Sequence, residues 1–388
     1  MLFHRKENVI QGIAFDCGTS AVRAALFSYF QKDVLTKPDV SEIIRFPFTS
    51  TAYMDANRLK QKTREGFEQI IKKIPSSFQP QEIILGLSSP FYISKTIRKT
   101  SRREQPQLVI TEKESEDLLA EAQHAFEDDA KKNTTDKEII TFAALLQKTY
   151  INGYRVENPI GMAGKVIESS FHFEATTREV FNDMHEFFAR YYSRAAFHIF
   201  STALANFRAV RALYGNDPGF LIIDIGGEVS DITLAIDGVL KQVTSLPMGH
   251  MMLLREIAAL LGVSLTDASF IIRRHAEQTL ENRKEKQITP LIVEFQDMWR
   301  KKLLTVLIAF SEHYEIPPRI FFTGDGVLPF HKNIFLEDAF RSVFYTKNLL
   351  IEFATPEILS RQFNKHPFHD ISDFGLASIT LLGTRTVV

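Results

Sequence analysis

Only one cysteine, Cys17, occurs in the 388 residues, so no internal disulfide can form. That suits a reducing compartment such as the cytoplasm. No charge of one sign dominates. The formal net charge is −1, and the chain has no global basic excess of the kind that marks nucleic-acid binding. No run approaches the roughly 18–20 apolar residues of a membrane-spanning helix. Met1 to Asn8 is short and charged and lacks the apolar segment of a signal peptide. The eleven histidines show no metal-like spacing, so no protein-built metal site is expected.

What remains is globular: 45% hydrophobic and 24% charged. The length is too great for one ordinary core and implies two or more lobes. The 33 phenylalanines are scattered through short apolar runs and read as core residues. Strands are expected at Val9–Phe15, Ala21–Phe30, Glu42–Phe48 and Glu82–Leu87, with a helix near Met54–Ile74. A small α+β module follows. Ser94–Arg103 is basic and extended, and Thr111-Glu112-Lys113-Glu114 is a capping box opening a helix. Glu127–Glu138 reads as a polar loop, and Ile139–Tyr150 and Lys165–Phe173 read as extended. Thr176-x-x-Glu179 opens another amphipathic helix. A strand near Ala196–Phe200 leads to a helix ending near Gly215. Phe220–Ile225 is a continuous apolar strand, and Val229–Ile236 and Val239–Ser245 form a hairpin across Asp237-Gly238. Gly249–His313 is nearly all helix, Arg319–Thr323 is a strand, and the last helix lies near Asp373–Leu382.

Two strand–turn–strand units have the same form. Ile13-Ala14-Phe15 runs into Asp16-Cys17-Gly18-Thr19-Ser20, and Ile222-Ile223 runs into Asp224-Ile225-Gly226-Gly227, followed by Ser230 and Asp231. In each, glycines let backbone N–H groups approach phosphate oxygens, and hydroxyls add donors. Asp16, Asp224 and Asp231 are placed to order the water shell of Mg²⁺. A third turn, Thr323-Gly324-Asp325-Gly326, offers glycines on which an adenine ring can lie. The expected ligand is ATP with Mg in a cleft between two lobes.

These motifs resemble the actin superfamily, and within it the FtsA family of cell-division proteins. The inserted module carries the most specific likeness: Tyr150-Ile151-Asn152-Gly153, Asn158-Pro159-Ile160-Gly161-Met162-Ala163-Gly164, then Glu168 and His172. Leu204–Val210, Leu246–His250 and Arg255–Ala258 also match, so the resemblance spans about Gly12 to Gly383. It implies an α/β, actin-like, two-lobed fold with duplicated ribonuclease-H-like cores and an FtsA-type inserted α+β subdomain. The expected division is 1–82 with 176–214 (first phosphate turn), 83–175 (the insert), 215–246 with 317–388 (second turn and adenosine motif) and 247–316 (helical).

By resemblance, Asp16, Gly18, Thr19 and Ser20 face Asp224, Gly226, Gly227, Ser230 and Asp231 across the phosphates, and Gly324 and Gly326 border adenosine. The resemblance also implies a filament-forming adaptor. It would self-associate head to tail, bind an FtsZ-like C-terminal tail through Arg273, Arg274, Arg300 and Lys301, and join other division proteins. Arg98, Lys99, Arg102 and Arg103, with Glu112, Glu114, Glu116, Asp117 and Glu121, form opposite charge runs. Each reads as either a solvated surface or a subunit contact. His250 and Asp325 stand where the family commonly has glycine. Gly383–Val388 is too short for an amphipathic membrane helix, so membrane attachment is expected only through a partner. Two other readings stay open: a PilM-like pilus scaffold, and a small-molecule kinase, for which no base is evident. Aligning Ala209-Val210 puts Arg208 where relatives carry a water-orienting Gln or Glu, with Asn206 nearby. Arginine cannot accept a proton, so turnover is expected well below the roughly 1–10³ s⁻¹ of typical enzymes.

Overall fold

The computed structural model describes residues 9–30, 37–49, 53–133, 138–215, 217–346 and 348–386. The Met1–Asn8 segment and the last two residues of Gly383–Val388 lie outside that set. Strands and helices are numbered along the chain. The first sheet comprises β1 (Val9–Cys17), β2 (Ala21–Phe30), β3 (Asp39–Pro47), β4 (Glu82–Leu87) and β9 (Ala196–Ser201), in the order β3-β2-β1-β4-β9. The second comprises β10 (Gly219–Ile225), β11 (Ser230–Ile236), β12 (Val239–Leu246), β13 (Arg319–Thr323) and β14 (Leu350–Phe353), in the order β12-β11-β10-β13-β14. Both have an antiparallel three-strand meander followed by two parallel strands. The same topology thus occurs twice.

The third sheet holds β5 (Ile93–Arg102), β6 (Ile139–Ile151), β7 (Tyr154–Val156) and β8 (Val166–Thr177), in the order β5-β8-β6-β7. The helix α2 (Glu112–Asn133) packs against it through Leu118, Ala122 and Phe126. The first lobe carries α1 (Ala56–Ile71) and α3 (Arg178–Tyr191). The α1 helix buries Leu59, Phe67 and Ile70 on one face, at the spacing that a 3.6-residue turn brings together. There Phe15 meets Phe188 and Phe67 at centroid distances of 4.9 and 5.4 Å. The second lobe is capped by α5 (His250–Leu261), α6 (Leu265–Ala276) and α7 (Asn282–Ser311), then by the short α8 (Pro329–Asn333) and α9 (Asp338–Arg341).

Between the two large sheets lie α4 (Thr202–Leu213) and α10 (Phe374–Thr386). Phe207, Leu376 and Ile379 from these helices join Ala14 and Ile84 of the first sheet and Phe220 and Ile222 of the second in one core. Close packing makes glycine necessary here. A Cβ on Gly383 would stand 1.9 Å from Ile84 Cδ1, far inside van der Waals contact.

Two local expectations change. The polar stretch read as a loop from Glu127 is helical through Asn133, because Phe126 stacks on Phe173 at 5.4 Å and Ala130 is buried beneath. The cap of α3 is Thr177, which accepts from the Val180 N–H. Thr176 instead donates to the Phe91 carbonyl at 2.6 Å.

The basic run is not a free surface at Arg103. Its side chain is 7% exposed and paired with Glu114 at 2.8 Å. It also donates to the carbonyls of Leu108, Val109 and Gly164. It therefore ties the start of α2 to the Asn158–Gly164 turn. Arg103→Ala strands these acceptors and should cost about 2–4 kcal/mol, read by chemical denaturation. A lysine there should recover only part, since one ammonium cannot span the set.

Candidate functional site

Both Asp-x-Gly turns sit at the carboxyl ends of the first strands of their sheets, and the Gly324 turn follows the parallel neighbour β13. The lobes bring the three together. Asp16, Gly18, Thr19, Ser20, Asp224, Gly226, Asp231 and Gly324 line one cleft. Three expected residues lie behind it. Gly227 packs on Ser20, and a Cβ there would be 2.9 Å from the Ser20 backbone nitrogen. Ser230 donates to the Met248 carbonyl and accepts from Trp299. Gly326 donates to the Ile225 carbonyl at 2.8 Å.

The cleft is closed, with a volume of about 40 Å³. Small-molecule sites typically offer about 300–1,000 Å³. The two turns touch directly, because the Glu228 N–H donates to Thr19 Oγ1 at 2.9 Å. Arg23, near the start of β2, extends into the space. It bonds Asp16 at 3.2 Å and also Asp325, which accepts from Ser20 as well. The Gly226 N–H is used by the Val229 carbonyl, and the Gly226 and Gly227 carbonyls receive the first N–H groups of α5. The residue types suit a phosphate clamp, but this closed geometry does not fit Mg-ATP.

Four carboxyls, Asp16, Asp224, Asp231 and Asp325, line the cleft together with the Arg23 guanidinium. Burial raises Asp16 to about 6, against the pull of Arg23. Burial, with Asp231, Asp16 and Asp325 nearby, raises Asp224 to about 8. Burial also raises Asp231, which is held by Ser245 at 2.5 Å. Burial opposes ionisation of Asp325 too, but Arg23 beside it, His250 and the Ser20 hydroxyl together hold its carboxyl below the usual range.

The residues expected near hydrolysis separate. Asn206 Nδ2 donates to Asp224 at 3.2 Å. Arg208 instead lines a different groove with Leu145 and Phe200. Two helical residues turn a side chain through about 200°, so Arg208 does not occupy the water-orienting place. Glu228 forms a bidentate pair with Arg255 at 2.6 and 2.8 Å. Of the expected tail-binding cations, Arg300 pairs with Glu337 at 2.6 Å and Arg274 donates to the Thr279 carbonyl, whereas Arg273 and Lys301 are exposed. Among the described residues no group of three or more acidic, His or Cys side chains is arranged to hold a metal, and no helix is long and apolar enough to cross a membrane. Sequence reasoning missed Arg23. Its signal was an arginine inside an otherwise buried strand, where unpaired charge is not tolerated.

No protein-family model matches the chain, and no curated protein matches it. Solved structures do. The PilM-PilN type IV pilus biogenesis complex aligns at 15% identity over 97% of this chain and 99% of that one, with a TM-score of 0.62. MreB5 of Spiroplasma citri bound to ADP aligns at 12% identity over 97% of both chains, with a TM-score of 0.44. A MamK double helical filament aligns at 10% identity over 96% and 98%, with a TM-score of 0.46. The chain has the actin-like ATPase fold.

The raised carboxyls give a pH dependence. In the folded chain Asp224 keeps its proton to about pH 8, whereas unfolded it ionises near its ordinary value of about 4. The folded state therefore binds more protons between those limits, and its stability falls as pH rises through the window. Denaturation from pH 4.5 to 8.5 should show a shallower decline for Asp224→Asn than for wild type.

Proposed function

We propose that this chain is an actin-fold adaptor that captures an extended segment of a partner protein, as in the PilM-like reading. The carrying observation is a groove of about 650 Å³ between the third sheet and the rim of the first. It is framed by two strand edges. Among the described residues β9 ends the first sheet and β7 covers β6 only at Thr149–Ile151, so the preceding half of β6 offers its other edge. Phe142, Phe181, Phe197 and Ile199 give apolar walls. His198 Nε2, buried in that wall, has no partner among the described residues. Free strand edges beside apolar pockets suit an added peptide strand, with main-chain bonds giving affinity and pockets giving specificity. The whole-chain likeness to the PilM-PilN complex supports this reading. On this reading the chain would work in the cytoplasm and reach a membrane only through its partner.

The FtsA-like reading rests on different features. The exposed side chains of Leu108, Val109, Ile160 and Met162 at the tip of the inserted module suit contact with a second copy. Arg273 and Lys301 remain available to an acidic FtsZ-like tail. In either reading ATP with Mg is a ligand of an opened cleft. Catalysis has little support, since Glu228 is engaged by Arg255 and Asn206 by Asp224.

The two readings separate by peptide. Labelled peptides from the native host's PilN-type N-terminus and FtsZ-type C-terminal tail are titrated by fluorescence anisotropy. The PilN-type peptide should bind. Ala144→Arg, an exposed position in the groove, should weaken it at least tenfold without changing unfolding. Binding of the FtsZ-type tail alone, weakened by charge reversal at Arg273 and Lys301, would support the FtsA-like reading instead.

A further inference from the structure

In a two-lobed clamp the ligand's phosphates and metal bridge the turns. Here side chains make the bridge. Ser20 and Arg23 belong to the first lobe and Asp325 to the second, more than 300 residues along the chain. The Arg23 and Asp325 side chains are 8% and 19% exposed. The backbone supports the same closure, through Glu228 N–H on Thr19 and through Gly227 against Ser20. The Gly324 turn is fixed beside them. Gly324 has φ +98°, and a Cβ there would stand 2.4 Å from the Asp224 carboxylate. Asp325 is therefore delivered into the cleft by a turn with little freedom to withdraw it.

We propose that Arg23, Asp325 and Ser20 form an internal latch that competes with nucleotide for the cleft. The lobes are held shut by the chain's own ion pair, and nucleotide enters only when that pair opens. The guanidinium supplies the positive charge that a metal brings to a phosphate site, and the Asp325 carboxylate takes the position facing the first-turn hydroxyl. A ligand that binds only the open form has its apparent affinity reduced by the open fraction. A cleft open in about 1% of molecules would bind about a hundredfold more weakly than one already open. Glycine at 325 removes the second-lobe half of the latch but leaves Arg23 its Asp16 partner, so no buried guanidinium is stranded.

The test is calorimetric titration of Mg-ATP into the full chain as wild type, Asp325→Asn and Asp325→Gly, with melting curves of each with and without Mg-ATP. Affinity should rise in that order, with at least a tenfold gain for the glycine variant. Mg-ATP should raise the melting temperature of the variants more than that of the wild type. Equal affinity in all three, or tightest binding by the wild type, overturns the latch. If the glycine variant does not fold, the asparagine variant alone must bind more tightly than wild type for the proposal to stand. Peptide binding measured on the same samples reports the groove separately, so failure of the latch leaves the adaptor reading untouched.

Discussion

One guanidinium organises the meeting of the lobes. Arg23 lies directly opposite Asp16 in the β1–β2 register, so the hairpin places cation and anion on adjacent strands of one sheet. From the second lobe Asp325 reaches the same guanidinium. Four carboxyls around one cation cannot all ionise cheaply in a closed space. Burial first, and then the neighbouring carboxyls, leave Asp224 protonated to about pH 8, while Arg23 beside it keeps Asp325 charged. The electrostatics of the cleft depend on that one side chain, which joins the Glu228 N–H on Thr19 and the contact of Gly227 with Ser20 in holding the two turns together. Removing it would leave buried carboxylates facing one another with nothing between them.

Local chemistry made much of this readable. Glu82–Leu87 and Arg319–Thr323 form strands at the expected limits, because continuous apolar runs bounded by polar residues have few other uses. The Asp-x-Gly turns are legible for the same reason. Glycine and a hydroxyl directly after a buried strand mark a backbone that must approach something closely. In this structure Gly227 approaches Ser20 of the other turn. Spacing alone could not reveal that the two turns approach each other.

The misses have a common physical origin. Arg23 looked like one residue of a strand because its partner Asp325 is remote in sequence. The α2 helix outran its apolar pattern because tertiary contacts at Phe126 and Ala130 override a polar composition. Arg208 was aligned by neighbouring letters, yet which face of α4 looks at the cleft is set by packing, and that face carries Asn206. The Asn158–Gly164 string, the most specific part of the resemblance to FtsA, closes on α2 within the module. The Ile110 N–H bonds the Met162 carbonyl, and Arg103 bonds that of Gly164. The string therefore has a role in folding the module and does not by itself favour one partner.

The groove and the cleft are joined through one short route. Ile199 and Phe200 line the groove on β9, and Ser201 ends that strand. Ser201 caps α4 by accepting from Leu204 at 3.0 Å, and its own N–H is held by Glu174 at 2.8 Å. One turn further along α4, Asn206 reaches Asp224 in the cleft. On the module side Glu174 bonds His172, His172 bonds Thr96, and Thr96 donates to the Leu240 carbonyl of the second lobe at 2.5 Å. Gln147 adds a two-way bond with Leu240. Contiguity alone does not create coupling, which needs an element with two arrangements that both sites bias. The latch between Arg23 and Asp325 supplies such an element, since it is either closed or broken. A peptide laid against β9 alters the cleft only to the extent that it binds one of those arrangements more tightly. If β9 and α4 move as one body with the first lobe, the peptide has equal affinity for both, and the groove works independently of the cleft. If lobe opening pulls the Gln147 and Thr96 bonds from Leu240, the inserted module must tilt, the groove changes width, and peptide and nucleotide become linked by the same free energy in both directions.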